Sequence, residues 1–99
     1  MDAQSSEDIY IVKRNGQREL LDINKVHKMT EAACEGLTGV SSSLVEMNSG
    51  LQFTNEMSTA EIQAILIRSA NDLISLEAPN YQYVAARLLL FTIRKEVFG

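Results

Sequence analysis

The sequence predicts a mainly helical α+β domain in which an N-terminal β-hairpin precedes four helices. The hairpin is indicated by the β-branched and aromatic run of residues 9–12 just before Asn15-Gly16, a dipeptide typical of tight hairpin turns. The helices are indicated by two capping-box patterns, each followed by apolar residues at helical spacing. A chain of 99 residues, 45% of them hydrophobic, suffices for one folded domain with a modest core.

The hairpin is predicted to pair a strand over Ile9–Lys13 with a returning strand over Gln17–Leu21. Asn15 and Gly16 are expected at the two central positions of a type I′ turn, because both residues tolerate the positive φ that this turn requires. Residues 1–8 are polar and acidic, so we expect a flexible tail there and a single domain over residues 9–99.

Asp22 or Asn24 is expected to cap the first helix, which is predicted over residues 23–35. The pattern Ser43-Leu44-Val45-Glu46 matches a capping box and predicts a second helix over residues 43–51.

Residues 51–57 are ambiguous and have room for a short strand near Met57. A second capping box, Ser58-Thr59-Ala60-Glu61, begins a third helix whose apolar stripe runs to Ile74 and which Pro79 ends. The fourth helix is predicted from Asn80 to about Phe98. Its middle is apolar almost all round, so we expect it to be the central, most buried helix.

Positive charge is concentrated in one segment of an acidic chain. Residues 13–28 hold five basic and two acidic residues and have a net charge of +3. Because the whole chain has a net charge of −4, the residues outside this segment have a net charge of −7. A local positive site on a negative domain favours a compact anion over a long polyanion, and a pI near 4.9 argues against binding nucleic acid or an anionic membrane. The lone Cys34 excludes a disulfide framework within the chain and fits a reducing cytoplasm.

Three cations form the candidate anion site: Lys13 and Arg14 at the hairpin turn, and Lys25 in the first turn of the next helix. Side chains that close together repel one another unless an anion lies among them, and a triphosphate suits such a site. The alternative is an exposed hairpin tip with solvated charges. The sequence has no glycine-rich phosphate loop, so side chains and a helix N-terminus must hold any phosphates.

Glu19 and Asp22 follow the same cluster, and a carboxylate there can accept a hydrogen bond from the exocyclic amine of adenine. Asp22 can instead serve only as a helix cap, or do both. His27 is expected at the edge of a packed helix face, and no nucleophile–base constellation marks a catalytic site or a metal site. Lys95 adds a fourth cation if the last helix ends beside the hairpin.

Four segments together resemble the ATP-cone domain, and more narrowly the N-terminal ATP-cone of the large catalytic subunit of class I ribonucleotide reductases. They are Val12–Gly16, Asp22–Lys25, Ala32–Leu37 and Ala78–Leu88. The resemblance covers residues 9–99. It implies a four-helix bundle capped by a small three-stranded sheet, with the third strand near residue 57.

The resemblance also implies allosteric control, in which ATP leaves a reductase active and dATP switches it off, each bound with Mg²⁺. It assigns phosphate contacts to Lys13, Arg14 and Lys95, and phosphate or sugar contacts to Lys25 and Thr59. It assigns the adenine edge to Glu19 and Asp22, and the walls around base and sugar to Ile11, Leu21, Val26 and Phe91.

The chain departs from the family pattern at three of its positions. Asp22 is often Asn in the family, and ionised Asp accepts hydrogen bonds without donating them. Gln63 and Thr92 stand where well-known members carry histidines near the sugar and phosphates. These departures put the discrimination between ATP and dATP in doubt.

The implied partners are the remainder of the reductase large subunit and the radical-generating small subunit. With one cysteine, the chain lacks the redox cysteines of such an enzyme, so it is interpreted as an excised or naturally split regulatory domain. Two alternatives stay open: the cone of a nucleotide-responsive transcriptional repressor, against which the missing Cys-x-x-Cys pairs count, and a helical interaction module that has lost nucleotide binding.

Overall fold

The computed structural model describes residues 9–13 and 15–94. The tail predicted over residues 1–8, the end of the fourth helix and the side chains of Arg14 and Lys95 therefore lie outside the described residues. The elements in chain order are β1 (Tyr10–Val12), β2 (Arg18–Leu20), α1 (Ile23–Cys34), α2 (Ser42–Gly50), β3 (Met57–Ser58), α3 (Thr59–Asp72) and α4 (Tyr81–Arg94). The predicted α+β class, the four helices and the third strand near residue 57 are confirmed.

The three strands form one mixed sheet in the order β2-β1-β3. Strand β1 runs antiparallel to β2, with Ile11 opposite Glu19, and parallel to β3, with Ile11 opposite Met57. Residues that face each other across a sheet point to the same side of it. Because Ile11 is buried in the core, this register defines an inner face of the sheet that is turned toward the helices.

The hairpin turn differs from the predicted type I′ turn by one residue. The backbone N–H of Lys13 donates to the carbonyl of Gln17, and that of Gly16 donates to the carbonyl of Lys13, both at 2.8 Å. The loop therefore holds three residues, 14–16, and Gly16 closes it with a φ of 88°. The extra residue shifts the register so that Glu19 faces Ile11 and not Val12, which places its side chain on the inner face.

Asp22 caps α1: its Oδ1 accepts from the backbone N–H of Asn24 at 3.0 Å. The predicted capping box at Ser43 is wrong. Helix α2 is capped by Ser41, whose Oγ accepts from the N–H of Leu44 at 3.3 Å. The physical reason is that Glu46, the expected partner in the box, turns toward α1 and bonds there.

The second predicted capping box is present. Ser58 Oγ accepts from the N–H of Glu61 at 3.1 Å, and Glu61 Oε1 accepts from the N–H of Ser58 at 2.8 Å. Helix α3 ends at Asp72, several residues before Pro79, so the extension of its apolar stripe to Ile74 is wrong. The N–H groups of Leu73 and Ile74 bond three residues back, at 3.1 Å, which tightens the chain into a turn.

The prediction that α4 is the most buried helix is also wrong. Its inner side carries buried Tyr81, Val84 and Leu88, and it packs against α3 and α1. Its outer side is apolar but open, with Leu90 46% and Ile93 65% exposed. A small bundle covers each helix on one side only, so an apolar composition all round does not make a helix central.

The core lies between the inner face of the sheet and the four helices. Its buried members are Ile11, Leu21, Val26, Met29, Ala33, Val45, Ile62, Leu66, Ala70, Tyr81, Val84, Ala85 and Leu88. Within the part of the chain that the structure describes, no helix has both the length and the apolar character needed to cross a membrane.

Candidate functional site

The inner face of the hairpin has an apolar floor and a charged rim. Ile11 and Leu21 are buried and pack with Val26, which lies in the first turns of α1. Lys13 and Glu19 lie on the same face, Lys13 nearer the loop and Glu19 opposite Ile11, and both are exposed. This arrangement suits a ligand with an apolar ring and a charged end.

Lys13 and Glu19 form an ion pair with each other, with Nζ and Oε1 3.3 Å apart. The resemblance assigns these side chains to opposite ends of a ligand, and here they neutralise one another. An exposed pair of this kind contributes about 0–1 kcal/mol. A ligand that offers a phosphate to Lys13 and an amine to Glu19 can therefore replace the pair at little cost.

The N-terminus of α1 adjoins this pair. Asp22 caps the helix, which is one of the two roles predicted for it. Among the described residues, only Oδ1 of its carboxylate takes part in a hydrogen bond, so Oδ2 remains available as an acceptor. Lys25 is exposed in the first turn of the helix.

Gln63 is the most informative residue that α3 contributes. It lies one turn after Thr59, and only 8% of it is exposed. Its side-chain amide makes no hydrogen bond to any described residue, whereas the other buried polar side chains, Thr30, Ser49 and Ser69, all have partners. Within the described part of the chain, the amide of Gln63 therefore has no partner, and an unsatisfied buried amide costs roughly 1–3 kcal/mol.

The last wall comes from α4. Phe91 is half-buried and packs against the apolar core. Thr92 is half-buried too, and its hydroxyl donates to the carbonyl of Leu88 at 3.0 Å. The hydroxyl proton of Thr92 is thus used within its own helix, and its lone pairs are left to accept. The contributions expected of Arg14 and Lys95 lie outside the described residues.

An open surface depression of about 680 Å³ lies elsewhere, between α1 and the start of α2. None of the residues predicted to bind a nucleotide lines it. Cys34, which does, is partly buried, and burial raises the pKa of its thiol while the nearby Arg87 works in the opposite direction. A protonated thiol is a poor nucleophile and metal ligand. In the described part of the chain, no three His, Cys, Asp or Glu side chains converge on a metal position.

The segment Ala78–Leu88, which carries much of the resemblance, joins the helices together. Arg87 donates to the carbonyls of Glu35, at 2.6 Å, and Ala33, at 3.3 Å, at the C-terminus of α1. Asn80 donates to the carbonyl of Thr38 at 3.0 Å. A guanidinium at a helix C-terminus also favours the helix dipole. Sequence reasoning placed most of this segment in the fourth helix but missed its hydrogen bonds to the end of α1, although one arginine in an apolar helix was a signal for them.

The same segment holds the start of α2. The hydroxyl of Tyr81 accepts from the backbone N–H of Ser41 at 2.9 Å, and Tyr81 is buried. The segment therefore bonds to both ends of the connection between α1 and α2, through Arg87 at Glu35 and through Tyr81 at Ser41.

Sequence reasoning also missed a charged cluster around His27. Nδ1 of its ring lies 2.9 Å from Oε2 of Glu46, and Nε2 lies 3.0 Å from Oε2 of Glu31. The hydrogen bond and charge of Glu46, followed by the charge of Glu31, raise the pKa of His27. The spacing of His27 and Glu31, four residues apart on one helix, was the available signal.

The fold and site define a small helical domain whose sheet and helix N-termini present one polar, partly cationic site and no catalytic constellation among the described residues. The chain belongs to the ATP cone domain family, which matches residues 9–96. Domains of this family bind adenine nucleotides as effectors.

Relatives with similar sequences are ribonucleoside-diphosphate reductase alpha subunits. That of Buchnera aphidicola subsp. Schizaphis graminum is 44% identical over 91 residues, or 92% of this chain. Ribonucleoside-diphosphate reductase 1 subunit alpha of Escherichia coli is 42% identical over 94 residues, or 95% of the chain. The alpha subunit of Helicobacter pylori is 45% identical over 91 residues. The chain spans only 12% of the length of each of these relatives.

Proposed function

We propose that this domain binds ATP or dATP as an allosteric effector and thereby regulates a ribonucleoside-diphosphate reductase. The observation that carries the proposal is the family match over residues 9–96, together with reductase alpha subunits as relatives. The site residues support it, because the hairpin, the N-termini of α1 and α3, and the end of α4 supply the cations, the apolar floor and the polar contacts that a nucleotide needs.

The proposed contacts divide the nucleotide into three parts. Lys13 and Lys25, with Arg14 and Lys95 beyond the described residues, bind the phosphates, and Thr59 at the start of α3 adds a hydroxyl. Ile11, Leu21, Val26 and Phe91 form the apolar floor below the base and sugar. Glu19 and Oδ2 of Asp22 accept from the exocyclic amine of adenine, which selects adenine over guanine at that edge.

Binding changes the partners of two side chains of the free domain. The phosphates take Lys13 from Glu19, which frees that carboxylate for the base. Gln63, which has no partner among the described residues, gains a hydrogen bond from the sugar or phosphates. An amide both donates and accepts, so Gln63 can pair with a ribose hydroxyl in either sense, and it is the proposed sensor of the 2′-hydroxyl.

Mg²⁺ is proposed to enter with the nucleotide. The described residues offer no cluster of three carboxylate, histidine or cysteine ligands, whereas Mg²⁺ commonly binds through substrate phosphates and water. The ion would reduce the charge that Lys13 and Lys25 must balance.

The chemistry that this domain controls is proposed to occur outside the chain. Its partners would be the rest of a reductase large subunit and the radical-generating small subunit, in the cytoplasm. No observation favours the repressor alternative. Against the alternative of a lost site stands Gln63, a buried amide without a partner among the described residues, from which a site that binds no ligand gains nothing.

Titration calorimetry with ATP, dATP and GTP, each with Mg²⁺, tests the proposal. We expect micromolar binding of the adenine nucleotides, much weaker binding of GTP, and a loss of affinity in Lys13→Ala. Lys28→Ala is the matched control, because this exposed lysine lies on α1 but outside the proposed site. No binding to the folded domain, or an equal effect of both substitutions, would refute the proposed site.

A further inference from the structure

We propose that His27 is a positioning residue whose protonated ring ties α1 to α2 and makes nucleotide affinity at the N-terminus of α1 depend on pH. The inference rests on the proposed function and adds a regulatory input to the same site. His27 follows Val26 directly, and Val26 forms part of the floor of that site. Whatever holds His27 therefore also holds the first turns of the helix that carries Asp22 and Lys25.

The geometry requires a doubly protonated ring. Nδ1 of His27 faces a carboxylate oxygen of Glu46 at 2.9 Å, and Nε2 faces one of Glu31 at 3.0 Å. A carboxylate only accepts, so both ring nitrogens must carry a proton for both bonds to form. The neutral ring has one N–H and can keep only one of the two bonds. Loss of the proton therefore loosens the cluster.

Glu46 is the part of the cluster that links two helices. It is the only charged residue of α2, and its side chain is the less exposed of the two carboxylates. The same oxygen, Oε2, also accepts from the hydroxyl of Thr30 at 2.7 Å, and Thr30 is fully buried. Glu46 thus holds α1 at two residues about one turn apart, whereas Glu31 only supports the ring from within α1.

Other charges around the cluster do not replace these bonds. Helix α1 packs against α2 and α4. On α4, Arg87 is turned to the carbonyls at the end of α1. On α1 itself, Lys25 and Lys28 are exposed and form no ion pair with a described residue, and the Cys34 thiol stays protonated near neutral pH.

The sign of the pH effect follows from the raised pKa of His27. The protonated ring stabilises the α1–α2 contact, so the contribution is complete below the ordinary value of about 6.5 and is lost as pH rises through the higher value of the folded domain. We therefore expect nucleotide affinity to fall about two- to fivefold as His27 loses its proton, a range set by exposed ion pairs.

His27 is the only histidine of the chain, so the ¹H NMR signal of its ring reports this titration without assignment. We expect a raised pKa of His27 in the free domain and a titration midpoint about 0.3–0.7 pH units higher when ATP is saturating. The reason is that protonation of His27 and binding of ATP must favour each other by the same factor. Calorimetry across the same pH range should show the matching loss of affinity. In His27→Gln only the titration of the nucleotide phosphates should remain, since they also change charge near pH 6.

Two further variants distinguish an effect of the His27–Glu46 contact between α1 and α2 from direct attraction between the phosphates and the histidine ring. Glu46→Gln keeps the acceptor for Thr30 but removes the charge, so the shift on binding ATP should disappear. Glu35→Gln is the control, because Glu35 is an exposed carboxylate just after the end of α1 whose side chain bonds to no described residue. A His27 midpoint that is the same with and without ATP, or a shift that persists in Glu46→Gln, would overturn the inference while nucleotide binding itself stands. Absence of binding at every pH would refute the proposed function and this coupling with it.

Discussion

At the scale of single residues, one buried amide says more about function than the charged side chains. Lys13 and Arg18, the described basic residues of the hairpin, are exposed, and surface charge of this kind is common in proteins without a ligand. Gln63 is different, because it is buried and has no partner among the described residues, and a buried amide without a partner is costly and rare. The sequence shows Gln63 only as a departure from a family pattern, since burial and missing partners depend on how α3 packs.

We therefore expect Gln63 to lower the stability of the free domain and to raise its affinity for the nucleotide. Gln63→Met keeps the length of the side chain and removes the unsatisfied amide, so we expect the free energy of unfolding to stay equal or to rise by about 1 kcal/mol. ATP affinity should fall about two- to tenfold, because one hydrogen bond to the ligand is lost. Chemical denaturation and calorimetry measure the two quantities.

Ser69→Ala is the matched control, because Ser69 is a buried polar residue of the same helix whose hydroxyl has Gln52 as a partner. It should lower stability and leave ATP affinity unchanged. If Gln63→Met costs stability without affecting affinity, the amide has a structural partner and does not contact the nucleotide.

At the scale of elements, signals that act within a few residues were predictable. The capping box at Ser58 and the cap at Asp22 need only neighbouring backbone groups, and both are present. The box at Ser43 failed because Glu46 has a stronger partner on another helix, His27, which a local pattern cannot reveal. The three-residue hairpin loop was missed for a similar reason, since the register depends on which side chains the core requires.

The two capping boxes give a paired prediction. Ser58→Ala removes the side-chain acceptor for the N–H of Glu61 at the start of α3 and should lower the free energy of unfolding by about 1 kcal/mol. Ser43→Ala lies within α2 on an exposed position, where alanine is the better helix former, so stability should stay equal or rise by a few tenths of a kcal/mol. Urea denaturation of the two variants checks this, and an equal loss in both would mean that Ser43 caps α2 after all.

At the scale of the whole molecule, the domain is held together by two kinds of residue. An apolar core joins the sheet and the helices, and the segment from Asn80 to Arg87 bonds to the connection between α1 and α2. The order of the elements followed from the sequence. The exposed outer side of α4 did not, because composition shows how apolar a helix is and not how many neighbours cover it.

A substitution of Arg87 tests whether the residues that hold the helices together are distinct from those that bind the nucleotide. Arg87→Met keeps the apolar stem but leaves the carbonyls of Ala33 and Glu35 without their donor, so we expect a loss of about 1–3 kcal/mol in unfolding free energy. ATP affinity of the folded variant should stay within about twofold, because Arg87 lies at the C-terminus of α1 and the proposed site at its N-terminus. A large loss of affinity at full folding would place Arg87 in the binding site.

We propose that an adenine nucleotide binds between the hairpin and the N-termini of α1 and α3. The most direct measurement is a ¹H–¹⁵N NMR titration of the domain with ATP and Mg²⁺, which reports binding and its location together. We predict saturable shifts centred on residues 11–13, 17–26, 59–63 and 91–92. No shifts, or shifts centred on the depression between Lys28 and Ser42, would contradict the account.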